Sequence, residues 1–148
     1  MKLIAANKRA SHDYIISIKF DAGIVLTGAE VKSLRQNTGS IKESYIQEKE
    51  GELWLNNCFI KKYTSSNDPD NNPTRQRKLL VTKKELNKVK GAVKKEGFSI
   101  VPITLFFNKK GFAKLTFGLG KGKKKFDKRE SQKTKDWNKK KLRLLKNN

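Results

Sequence analysis

Residues 121–148, KGKKKFDKRESQKTKDWNKKKLRLLKNN, carry thirteen Lys or Arg against three acidic residues, with Phe126, Trp137, Leu142, Leu144 and Leu145 as the large apolar side chains. Like charges at this density repel one another. So few apolar groups cannot offset the ordering entropy of the segment, which is ~1–2 kcal/mol per residue for the backbone alone. The last fifth of the chain is therefore predicted to be a basic tail, disordered until an anionic partner neutralises it. Any independent core has to be built from residues 1–120.

The charge excess is not confined to the tail. The whole chain has 35 Lys plus Arg against 14 Asp plus Glu, a net +21, and positions 1–120 hold 22 of the basic and 11 of the acidic residues. A polyanion is the partner such a surface selects first, because neutralising phosphates releases counterions and gives strong, salt-dependent binding. The longest nearly unbroken apolar run, IVPITLFF at 100–107, is far shorter than the ~18 residues of a membrane span. The opening MKLIAANKRA lacks the apolar stretch of roughly 7–15 residues found in a signal peptide. A cytoplasmic protein without membrane attachment is expected.

The single cysteine, Cys58, excludes an internal disulfide, and its LWLNNCFI surroundings read as a strand in which it fills core. His12 stands alone, with no second His or Cys at ligand spacing. No metal and no cofactor are expected.

A body of about 120 residues is long enough to bury roughly two thirds of its unfolded surface as one domain. DYIISIKF (13–20) reads as a strand, ended by a turn at DAG before a short apolar IVL. TGAE (27–30) is a capping box that opens a helix with Val31 and Leu34 on one face. NTG (37–39) closes it, with Gly39 able to take the left-handed conformation. SYIQEKEGELWLNNCFI reads as two strands joined at Glu50-Gly51, and FSIVPITLFFNKKGFAKLTFGLG as two more joined across NKKG. In the last of these, Ala113, Leu115, Phe117 and Leu119 alternate with Lys114, Thr116 and Gly118, giving one buried and one wet face. A second capping box, TKKE (82–85), opens a helix through about Lys95, with Leu86, Val89 and Val93 on one side and Gly97 as its stop. YTSSNDPDNNPTRQRK (63–78) is loop by composition. Short antiparallel strands with two interposed helices predict a mainly β fold: a closed, oligonucleotide-binding-type barrel with flanking helices. A ferredoxin-like sheet is the alternative.

FGLGKGKKK lacks the spacing and the hydroxyl of a phosphate-binding loop. Gly118, Gly120 and Gly122 are read instead as the loosening of a strand into the tail. With one His, one Cys and scattered carboxylates, no catalytic residues are expected. Arg75 and Arg77 are spaced i, i+2, so an extended segment projects both guanidinia from one face with Lys78 beside them. They form either a phosphate-binding set or a solvated basic loop. In the tail, Trp137, Lys141, Leu144 and Leu145 fall on one stripe if the segment becomes helical.

In order along the chain, NKRASHDY, GIVLTGAEVKSLR, GELWLNN, PTRQRKLL, GFSIVPITLFF and KGKKKFDKR resemble the small protein B family, the SsrA-binding proteins of bacteria. The resemblance runs from about Ala6 to the C-terminus. It implies an oligonucleotide-binding-type barrel, no enzymatic activity and a monomer that binds the tRNA-like domain of transfer-messenger RNA. That RNA would be delivered to stalled ribosomes, the body standing in for the missing anticodon arm. The tail would enter the empty messenger channel near the small-subunit decoding centre.

Carried over by motif, the RNA-binding residues are Asn7, Lys8, Asp21, Arg75, Arg77, Lys78 and Leu80. Thr82 aligns with a position implicated in the family, but its capping role is a sufficient explanation. The tail set is Gly122, Lys124, Phe126, Asp127, Lys128, Arg129, Trp137, Leu144 and Leu145. Phe126 departs from a family pattern that often has His or Tyr there, which leaves stacking or apolar packing to it. Composition alone allows a ribosomal or ribosome-assembly protein equally well. An RNA-processing enzyme using Asp127, Glu130 and Asp136 as metal ligands is disfavoured, because a floppy segment cannot hold a coordination geometry.

Overall fold

Phe20, Ala22 and Ile24 alternate with Lys19, Asp21 and Gly23, and Leu115, Phe117 and Leu119 are spaced the same way later in the chain. Each run therefore has one apolar face, and pairing the two runs buries both faces together. The computed structural model describes residues 1–63 and 72–123. Its elements are β1 (Lys2–Ala6), α1 (Ala10–Asp13), β2 (Tyr14–Ile24), α2 (Gly28–Arg35), β3 (Gly39–Ser40) and β4 (Tyr45–Lys49), followed by β5 (Glu52–Asn56), β6 (Phe59–Ile60), β7 (Arg77–Leu80), α3 (Lys83–Glu96), β8 (Ser99–Phe107) and β9 (Ala113–Gly122).

β2 and β9 pair antiparallel from Tyr14 opposite Gly122 to Gly23 opposite Lys114. Inside them the rings of Phe20 and Phe117 stack with centroids 5.3 Å apart. Around this pair the antiparallel sheet has the order β1-β8-β9-β2-β7-β5-β4, and β3 with β6 forms a small second sheet. Leu34, Leu53, Leu55, Leu79, Val89 and Leu105 belong to the same core.

The fold is mainly β, as expected, but the expected closed barrel is not formed. β1 and β4 are the outer strands, and no ladder joins them. β4 lies against β8 without pairing to it. The upstream half of β8 is a poor partner there: Pro102 has no N–H to donate, and its carbonyl already accepts from Asn7 Nδ2 at 3.1 Å. The ferredoxin-like alternative also fails on strand order.

Both capping boxes form as read. Thr27 Oγ1 accepts from the Glu30 amide and Thr82 Oγ1 from the Glu85 amide, each at 3.2 Å, and Gly97 closes α3 with φ of 70°. Elsewhere the turn reading is corrected. Asp21, Ala22 and Gly23 make no turn but continue β2 opposite Thr116, Leu115 and Lys114. The buried Ala22 holds them in the core's alternation. The left-handed residue after α2 is Asn37, at φ of 59°, and Gly39 instead begins β3. A Cβ on Gly39 would fall 2.7 Å from Leu34 Cδ2.

Gly118 and Gly120 do not loosen the strand. A Cβ on them would fall 2.7 Å from Ile16 Cγ2 and 2.9 Å from Ile16 Cδ1 respectively, so glycine is what lets Ile16 cross β9. The ladder continues beyond Gly120, with Lys121 opposite Ile15. The Lys123 amide then donates to the Asp13 carbonyl at 2.7 Å. Among the described residues no helix is long and apolar enough to cross a membrane.

Candidate nucleic-acid interface

The Thr27 box places Glu30 in the first turn of α2 with its carboxylate turned back, so that Oε1 accepts from the Thr27 amide at 2.9 Å. The same carboxylate receives both arginines of the PTRQRK segment. Arg75 donates from one terminal nitrogen to Oε1 at 2.6 Å and from Nε to Oε2 at 3.1 Å, while Arg77 Nε reaches Oε2 at 2.7 Å. The i, i+2 spacing does put the two guanidinia on one face, but that face points inward.

Arg77 is 0% exposed. Its other donors go to the carbonyls of Cys58 at 2.6 Å and of Arg75 and Pro73 at 3.2 Å each. As placed it ties the start of β7 to α2 and offers no donor to a phosphate. Arg75 is partly exposed at the rim. Burial alone would raise the Glu30 carboxyl. Hydrogen bonds from Arg75, the Thr27 amide and Arg77, with the charge of Arg77, outweigh it and hold the group below its ordinary value of 4.5.

The wet face of the sheet is cationic. Lys19, Asp21 and Gly23 follow one another along the outer side of β2, with Gly118, Thr116 and Lys114 opposite them on β9 and Leu80 opposite Gly23 on β7. The Thr116 hydroxyl donates to Asp21 Oδ1 at 2.7 Å. A Cβ on Gly23 would sit 3.3 Å from Leu80 Cβ, so the glycine gives the exposed Leu80 room. Asp21 and Leu80, far apart in sequence, are thus brought onto neighbouring strands.

Asn7 and Lys8 are gathered at the other end of β2, where a groove is lined by both of them with Ile15, Lys19 and Lys123. Asn7 also fixes backbone, its amide donating to the Ile103 carbonyl at 2.8 Å. Lys8 is exposed. Lys78 lies apart from this end, paired to Glu52 at 2.9 Å. Gly122, the first of the tail set, is the last residue of β9 opposite Tyr14. Lys124, Phe126, Asp127, Lys128, Arg129, Trp137, Leu144 and Leu145 lie outside the described residues.

Cys58 is fully buried, and burial pushes its thiol up to about 11. His12 Nδ1 lies 3.0 Å from Asp13 Oδ1, and no cluster of three metal-ligating side chains occurs among the described residues. Sequence reasoning put Lys114 on a wet face without naming it among the candidate site residues, and singled out neither Lys19 nor the second role of Glu30. The two lysines carried a signal, since they fall at the polar phase of alternating strands. Glu30 carried only the capping signal.

A family model described as SmpB protein matches residues 4–147. The chain belongs to the SmpB family. It is 50% identical over 148 residues to the SsrA-binding protein of Ehrlichia canis (strain Jake), covering 100% of both chains. It is 51% identical over 145 residues to the SsrA-binding protein of Ehrlichia ruminantium (strain Welgevonden), covering 98% of each. Among solved structures, a chain from work described as "tmRNA-SmpB: a journey to the center of the bacterial ribosome" is 42% identical, with a TM-score of 0.65 over 81% of this chain and 84% of that one.

Proposed function

We propose that this chain binds the tRNA-like domain of transfer-messenger RNA and delivers it to ribosomes stalled without a stop codon, as a cytoplasmic, non-enzymatic monomer needing no cofactor. The observation that carries the reading is family membership over nearly the whole chain, residues 4–147. In this reading the curled sheet serves as an oligonucleotide-binding-type surface, and its outer face along β2, with Lys8, Lys19 and Lys114, meets RNA phosphate. Glu30 and Arg77 act indirectly, by fixing β7 and hence Leu80 beside Gly23. Arg75, at the rim of that clamp, is the arginine of the two with donors near solvent.

The tail completes the account. Its thirteen basic residues supply attraction to ribosomal RNA along the vacant messenger channel, and Trp137, Leu144 and Leu145 set one register once the segment becomes helical. Gly122 and Lys124, followed by Phe126, Asp127, Lys128 and Arg129, form the junction between the body and that stripe. The test is to recover tagged full chain from cells and sequence the RNA that comes with it. A single tRNA-like species is expected. Ribosomal RNA without that species would make the chain a ribosome-assembly protein instead.

A further inference from the structure

Phe112 stands at the tip of the β8–β9 hairpin with 63% of its surface exposed, and Leu80, across the sheet, with 52%. Both line one groove of about 620 Å³, together with the apolar side chains of Leu26 and Val31. Single exposed apolar side chains need no explanation, but two converging on one concave site do. The charged residues lining the groove are Arg35, Lys110 and Lys114, all cations.

The backbone that carries the ring is held in place. Asn108 Oδ1 accepts from the amides of Lys110 at 3.0 Å and Phe112 at 2.9 Å, and the Asn108 amide donates to the Phe112 carbonyl at 2.9 Å. Gly111, at φ of 83°, makes the turn possible. An exposed aromatic face on an anchored turn, beside a cationic rim, is what an unstacked nucleotide requires, since the base needs a flat apolar partner and its phosphate a positive charge. The volume is within the range of small-ligand sites. The groove is also continuous with the outer face of the sheet, because Lys114 and Leu80 are the ladder partners of Gly23.

We propose that this groove holds an unpaired nucleotide of the bound RNA, with Phe112 as the stacking platform and Arg35, Lys110 and Lys114 as its phosphate contacts. The inference rests on the RNA-binding reading above and adds a site to it. A protein partner is the less favoured occupant, because a groove whose charges are all positive matches a phosphate chain.

The test compares full-length wild type, Phe112→Ala, Phe112→Trp and Lys110→Ala/Lys114→Ala in titrations against the isolated tRNA-like RNA over a salt series, with thermal melts to establish that each variant is folded. Phe112→Ala is expected to weaken binding by roughly 5- to 100-fold with an unchanged salt slope, and Phe112→Trp to retain affinity. The lysine pair is expected to flatten the slope by about two contacts. Base-specific chemical probing of the RNA should lose protection at one or two unpaired nucleotides in Phe112→Ala alone.

Wild-type affinity and full base protection in a folded Phe112→Ala overturn the inference while leaving RNA binding by the protein intact. Loss of ribosome association with unchanged binding of the isolated RNA overturns it too, in favour of an occupant that belongs to the ribosome. A wild-type chain that does not bind the RNA at all overturns both this inference and the reading it rests on.

Discussion

Glu30 Oε2 accepts a hydrogen bond from Arg77 Nε at 2.7 Å across 47 positions of sequence, and both side chains are buried. Removing Arg77 leaves Glu30 with Arg75 as its charged partner, takes a donor from each of the Cys58 and Pro73 carbonyls and empties a fully buried volume, at a combined cost of about 3–5 kcal/mol. Arg77→Ala is therefore expected to lose that much in urea unfolding. The Lys78–Glu52 pair, by contrast, is solvated on both sides. Lys78→Ala is expected to stay within about 0.5 kcal/mol of wild type. Equal losses in the two variants would show that the clamp contributes nothing special.

The same carboxylate makes stability depend on pH. Its folded value is depressed below the ordinary 4.5. Its contribution is therefore complete above that pH and is lost as pH falls through the folded value. The stability difference between wild type and Glu30→Gln, read from urea midpoints, should be largest near neutrality and shrink below about 4.5. A difference that stays constant from neutral to acid conditions contradicts this.

How much of this could be read beforehand depended on the range of the determining interaction. The capping boxes at Thr27 and Thr82 are settled within four residues, and both were legible. The DAG segment carries local turn residues, yet β9 pairs with all three of them and β7 with Gly23, which keeps the segment extended. Arg75 and Arg77 read as surface because nothing near them in sequence announces Glu30, whose only local signal was its cap. Gly118 and Gly120 looked like loosening because their purpose, the crossing of Ile16, lies on another strand. Charge pattern foretold an anionic partner but not which lysines share a face, since that follows from register.

Glycines provide a paired test. Gly91 lies inside α3 and a Cβ there would meet nothing within 4 Å, so Gly91→Ala should stabilise by about 0.5–1 kcal/mol through helix propensity. At Gly118 the added Cβ would meet Ile16 Cγ2 at 2.7 Å and the Ile18 carbonyl at 3.2 Å. Gly118→Ala is expected to destabilise by about 1–3 kcal/mol. Thermal melting of the two variants should give shifts of opposite sign, and shifts of the same sign would contradict the packing account.

Cys58 gives a chemical check on the core. Burial raises its thiol to about 11, so almost none is thiolate near neutrality. A thiol reagent is expected to label it only under unfolding conditions. Rapid labelling of the native protein would mean that the region around Arg77 opens readily.

In the proposed function, RNA binding belongs to the folded body and ribosome rescue to the basic segment that follows it. Lys121 and Gly122 belong to β9, and the Lys123 amide is bound to Asp13, so the truncation that respects the fold ends after Lys123. The deciding measurement is peptide tagging on ribosomes stalled at a messenger end, run with full chain and with the truncated chain at matched occupancy of transfer-messenger RNA. Full chain is expected to support tagging, and the truncated chain to bind the RNA with only a modest loss while tagging collapses. Equal tagging by both chains, or none with the full chain, would contradict the account.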